Sequence, residues 1–197
     1  MSSSVSDSEE STIGLASNKG DSAHQSPLFE AQNADQEELW TSGDHKRYRQ
    51  LFLAAQRGDW KNAKSFIERD PNALNARITA GGLTVLQVAA YCCRWGFVLK
   101  LLELLSPESI AVQDKNENTV LHYVAAGGSL ETAKALVQKN AHLLQMDNNL
   151  GQLPLFYSIY SENNELMWYL TLITRVDSPS LPKIIRALTE SGSLGKN

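Results

Sequence analysis

Few side chains in this sequence have the type and spacing to do chemistry. The stretch TVLHYVAAGG at 119–128 sets His122 three residues after Thr119 and ahead of a glycine pair, a grouping that could belong to a catalytic or metal site. A metal would need further donors at set spacings. His24, His45, His122 and His142 have no acid or cysteine three or four residues on. Cys92 and Cys93 are adjacent, and neighbours this close rarely bridge, so they read either as small filler at the end of a helix or as a redox-sensing thiol. The closing GSLGKN superficially looks like a phosphate loop. A Walker A motif has four residues between its glycines and Ser or Thr after the lysine, whereas here Ser193 and Leu194 intervene and Asn197 follows. With no Gly-x-Ser-x-Gly, carboxylate pair or cysteine zinc cluster, the sequence predicts no catalytic, cofactor or metal residues and a non-enzymatic protein.

The His122 stretch is one of four related segments. RQLFLAAQRG (49–58), TVLQVAAYCC (84–93) and LPLFYSIYSE (153–162) align with it at spacings of 35, 35 and 34 residues. The register continues without a gap: Phe66-Ile67, Leu101-Leu102, Leu136-Val137 and Leu170-Thr171 fall at matching offsets. A fixed period of this length signals stacked repeats. Within a unit, the segment beginning at Leu121 is short and apolar, and Gly128 breaks it. Leu130, Ala133, Leu136 and Val137 then follow at helical spacing. Turn-forming DPN, SPE and DNN come next. Each unit therefore predicts helix, tight turn, helix and an extended connector, with stacking needed to bury either helix. The fold class is all-α, a solenoid of about four units at 48–82, 83–117, 118–151 and 152–177 within an ordered region 46–177.

Thr119, Leu121, His122, Ala125 and Gly128, with Asp114 five residues before the threonine, resemble the T-P-L-H-x-A-A-x-x-G core of the ankyrin repeat. The resemblance implies that Thr119 caps the inner helix and that His122 ties it to a neighbouring connector. Copies one and four depart from the motif, with Arg49 and Phe52, and Leu153 and Phe156, at the Thr and His positions. The fourth is expected to lose its cap bond and to be the least stable. RDPNALNAR and the run from His122 into LPL look like the arrays of plant ankyrin-repeat proteins that end in a multi-pass membrane domain. That resemblance implies stress or defence signalling. It also makes the chain read as a truncated or alternatively spliced relative, able to compete or associate with a full-length membrane-anchored form.

Outside the array, residues 1–45 carry nine acids and one base, a net −8, and the rest carries 17 bases and 13 acids, a net +4. The leader is Ser-rich and acidic, so it is predicted to be disordered. Neither half has the concentrated basic face of a nucleic-acid binder. There is no run of about 18 apolar residues that would span a membrane. A cytoplasmic location follows as the expectation, with membrane association only through a partner or a longer isoform. Near the C-terminus, Leu181, Ile184, Ile185 and Leu188 are spaced as one face of a helix, predicted at 178–197 to cap the array.

Stacked repeats of this kind imply a protein partner bound on a concave face, with function carried by non-consensus residues. Outward positions of the inner helices hold Tyr91, Tyr123, Tyr157, Tyr160 and Arg57. Connector tips add Arg77, Thr79, Lys115, Asn116, Glu117 and Asn148. Tyrosine and arginine suit binding hot spots, though the same tyrosines would serve equally to pack sideways between repeats. The alternative function is an autoinhibited regulatory fragment whose acidic leader folds back on the basic body.

Overall fold

The computed structural model describes residues 43–175 and Arg186. Residues 1–42 of the acidic leader and the capping helix expected at 178–197 thus lie outside the described residues, except that Arg186 is helical and exposed. Within residues 43–175, eight α-helices follow in pairs: α1 (Gly43–Arg57), α2 (Trp60–Arg69), α3 (Val85–Tyr91), α4 (Trp95–Leu104), α5 (Val120–Gly127), α6 (Leu130–Lys139), α7 (Pro154–Ser158) and α8 (Asn164–Ile173). No strand occurs among the described residues. The first helix starts at Gly43, ahead of the boundary expected at residue 46.

Odd-numbered helices form an inner row, α1 on α3, α3 on α5 and α5 on α7, and even-numbered ones an outer row joined by α4 on α6 and α6 on α8. Small residues let the inner row approach closely: Ala55, Ala89, Ala90 and Ala125 are fully buried. Leu51, Leu86, Leu121 and Leu155 lie buried on one side of that row, and Leu101, Leu136 and Leu170 on the outer helices close the core.

Outer helices start on side-chain caps. Asp59, Ser129 and Asn163 accept from the backbone N–H groups of Asn62, Thr132 and Leu166, which satisfies otherwise orphaned donors. Arg94 stands at that place in the second unit without a cap bond, and its Nε instead donates to the Gln56 carbonyl of the preceding unit at 2.8 Å. The fourth inner helix is only five residues long, and Leu153 makes no side-chain cap bond, as its loss of threonine predicts.

One backbone requirement recurs between the two helices of every unit. Gly58, Cys93, Gly128 and Glu162 occupy the same repeat position, and all four are left-handed, with φ of 74°, 55°, 79° and 54°. That conformation costs an L-residue about 1–2 kcal/mol, so two units carry strain that glycine relieves in the others. Glu162→Gly is expected to raise stability by about 0.5–1 kcal/mol after the added freedom of the unfolded chain is counted. An unchanged or lower denaturation midpoint would show that the turn does not hold this conformation.

Candidate interaction surface

Between units the chain forms fingers at 77–83, 112–118 and 147–152. Each closes on one ladder bond: Ile78 N–H to Leu83 O at 2.8 Å, Asp114 N–H to Asn118 O at 3.0 Å and Asn148 N–H to Gln152 O at 3.0 Å. Thr79, Asp114 and Asn148, each five residues before a helix N-cap (Thr84, Thr119 and Leu153), brace the turns from within. Thr79 Oγ1 accepts from Leu83 N–H. Asp114 accepts from Asn116 and Asn118 N–H, and Asn148 from Leu150 and Gln152 N–H.

Adjacent fingers are also stitched together. Lys115 N–H donates to Gly81 O at 3.0 Å, and Asn149 N–H to Asn116 O at 3.1 Å. Arg77 Nη1 reaches the Gln113 carbonyl at 2.6 Å, and Gln113 Nε2 the Asp147 carbonyl at 3.0 Å. The exposed side chains Lys115, Asn116, Glu117, Asn149 and Leu150 thus stand on a framework whose backbone groups are already paired.

His122 belongs to that framework. Its Nδ1 accepts from the Thr119 N–H at 3.0 Å, so Nε2 carries the proton and donates to the Gln152 carbonyl of the next finger at 3.0 Å. The ring is fully buried. Burial pushes its pKa down to about 4, against the opposing pull of the Gln152 carbonyl and Asp147. Gln87 makes the same two connections one unit earlier: its Oε1 accepts from Thr84 N–H at 2.8 Å and its Nε2 donates to Asn118 O at 3.1 Å. A carboxamide cannot do proton transfer or easily replace imidazole as a metal ligand. At this repeat position Gln87 and His122 act alike, as braces between a helix start and the next finger. No cluster of three metal-binding side chains exists among the described residues.

Several residues expected at the surface are placed elsewhere. Tyr123 and Tyr157 are each only 3% exposed. The Tyr123 hydroxyl donates to Asp114. That of Tyr157 donates to Gln152 Oε1 at 2.7 Å and accepts from Asn148 Nδ2 at 2.9 Å. Asn148 and Thr79 are buried as turn braces, so the third fingertip is Asn149 and Leu150, one and two positions on. Leu150 is 62% exposed. Sequence reasoning missed it, although aligning Asn148 with Asp114 puts Leu150 level with Asn116.

Tyr91 and Tyr160 are half-buried, edge-on to Tyr123 at 6.0 Å and Phe156 at 5.9 Å. Arg57 is exposed, but it lines a cleft between α1 and α2 rather than the finger row. Arg77 is an exposed residue whose Nη1 donates to two carbonyls, those of Gly82 and Gln113. Burial raises the Cys92 thiol to about 11 and lifts that of Cys93 as well, so both rest as thiols rather than reactive thiolates.

The ankyrin-repeat family profile, "Ankyrin repeats (3 copies)", matches residues 91–178. Inversin of Mus musculus is 29% identical over 115 residues, which is 58% of this chain and 10% of that protein. Inversin of Homo sapiens is 28% identical over 118 residues. The matched segment thus spans about a tenth of the length of these relatives. Among solved structures, a chain in the crystal structure of the yeast ribosomal protein Rps3 in complex with its chaperone Yar1 superposes with a TM-score of 0.57. That match has 23% identity and covers 65% of this chain and 93% of the other, a likeness of fold. Among the described residues no helix is long and apolar enough to cross a membrane. With four stacked helix pairs, braced fingers and a family match over residues 91–178, the array carries ankyrin repeats, and such repeats make a protein–protein interaction module.

Proposed function

We propose that this module is non-enzymatic and captures its protein partner on the finger row. The observation that carries this reading is the inter-finger stitching, Lys115 to Gly81 and Asn149 to Asn116. Backbone held in place before contact lowers the ordering cost of binding. Lys115, Asn116, Glu117, Asn149 and Leu150 form the polar and apolar tips, with Tyr91 and Tyr160 as accessible aromatic edges. Tyr123, Tyr157 and Asn148 contribute by holding the fingers, and Arg77 by tying the first finger to the second.

The resemblance of RDPNALNAR and its companion segments to plant membrane-anchored ankyrin proteins supports a finer reading. In it the chain is a cytoplasmic adaptor in stress or defence signalling that works beside a full-length membrane-anchored relative.

The test uses the full chain as bait in source-cell extract, beside a Lys115→Glu/Leu150→Asp variant. Both changes are at exposed tips, so the fold should persist by circular dichroism. Partners captured by the parent and reduced at least about tenfold with the variant support the finger row, a drop equivalent to about 1.4 kcal/mol. Equal capture by both would move the binding surface elsewhere on the solenoid.

A further inference from the structure

The positive charge of the array is concentrated at one end. Residues 46–70 carry seven bases and three acids, whereas 71–197 carry ten of each, so the whole +4 sits on the first helix pair. There, Arg57 of α1 and Arg69 of α2 line one cleft of about 330 Å³, with Gln50, Asn62 and Ser65 as neutral polar walls. No residue of the second unit lines it. Among the described residues neither arginine forms an ion pair. Arg69 places its guanidinium over the Phe66 ring at 5.7 Å and donates its Nε to the Ser65 carbonyl at 3.0 Å, which leaves the hydrogen-bonding edge of its terminal nitrogens for a ligand.

Asp59 is the acid on the rim. Its carboxylate is occupied as the cap of α2, accepting from the Asn62 backbone and side chain. The cleft therefore offers two guanidinium groups and several amide or hydroxyl donors in one place. That donor set matches carboxylates, which pair well with planar guanidinium groups.

An acidic peptide is attached next to it. Residues 1–42 carry eight acids and one base and lead directly into α1. Arg57 lies fourteen residues along α1 from Gly43, about 21 Å at 1.5 Å per residue. Some seven extended residues, at about 3.3 Å each, cover that distance. Asp35 and Glu30 stand eight and thirteen residues before Gly43, so both reach. A short tether supplies a high effective concentration, enough to hold contacts that would be weak between separate molecules. We propose that the Arg57/Arg69 cleft is a docking site for acidic peptide and that residues 1–42 of the same chain occupy it. The inference concerns a different face from the finger row and stands or falls separately from it. An acidic segment of another protein would have to displace the leader to bind there.

The experiment compares backbone amide NMR spectra of the full chain with those of a variant neutralised in the leader alone (Glu30→Gln, Asp35→Asn, Glu37→Gln, Glu38→Gln). That variant leaves the folded body unaltered. The expected result is movement of the Asn62, Ser65 and Arg69 amides, with Leu166 and Leu170 in α8 unmoved. Raising salt from about 0.1 M to about 1 M, which shortens the screening length from about 10 Å to about 3 Å, should move the parent amides in the same direction. Arg57→Gln/Arg69→Gln should abolish the response to leader neutralisation. Unmoved cleft amides, or a response that survives loss of both arginines, would overturn the proposal. So would shifts that disappear on dilution, which would mean that the occupant is the leader of a second copy.

Discussion

Replacing Leu121 by Ala is expected to lower the free energy of unfolding by about 2–5 kcal/mol, the range for emptying a packed leucine site. Leu121 is fully buried, on a helix, α5, that packs against α3 on one side and α7 on the other. Its surroundings have little room to collapse into the space, because Val120, Val124 and Ala125 beside it are themselves fully buried. A stacked array adds a second consequence. Each unit draws its stability from its neighbours, and the fourth unit has a five-residue inner helix without a side-chain cap. Weakening α5 should release that unit first, so urea unfolding followed by circular dichroism should become broader or separate into two steps. A loss below about 1 kcal/mol would mean that Leu121 does not fill the core and that the repeat register is displaced.

Acid should weaken the array through His122. Above the unfolded pKa of 6.5 the ring is neutral in both states and contributes no pH dependence. As pH falls below 6.5 the unfolded chain takes up the proton. The folded chain resists until about 4, because burial disfavours the charged ring. Stability due to this group is thus complete above 6.5, falls between 6.5 and 4, and levels off below. The loss amounts to about 3 kcal/mol over that window, at about 1.4 kcal/mol per pH unit.

His122→Gln is expected to keep most of the neutral-pH stability, since Gln87 makes the equivalent bonds in the second unit, and to remove this part of the acid sensitivity. His122→Ala would leave the Thr119 N–H and the Gln152 carbonyl without their ring partner, at about 1–3 kcal/mol for each orphaned group. Chemical unfolding of the three proteins at pH 7, 5 and 4 separates these effects. Parallel losses in the parent and His122→Gln would assign the acid sensitivity to carboxylates instead.

The repeat and its register were legible in the residue order, because a recurring apolar pattern and a recurring turn have no other common cause. Leu121, Ala125, Leu136 and Leu170 lie in the core where the spacing put them. The role of His122 was legible through resemblance, and its equivalence with Gln87 through the alignment of the copies. The left-handed turn could be read at Gly58 and Gly128 but not at Cys93 and Glu162, whose side chains carry no sign of the conformation they bear.

The direction of the tyrosines lay beyond the pattern. Helical phase sets only where a Cβ leaves the backbone, and a phenol reaches several ångströms further. Tyr123 reaches Asp114, and Tyr157 reaches Asn148 and Gln152, residues of connectors whose position depends on the whole stack. By itself the sequence determined that this chain is a solenoid of helix pairs and which residues pack within each unit. Only the tertiary structure decided which polar side chains brace the fingers and which remain at their tips, because that choice is made by hydrogen bonds between units that the order of residues within one unit does not contain.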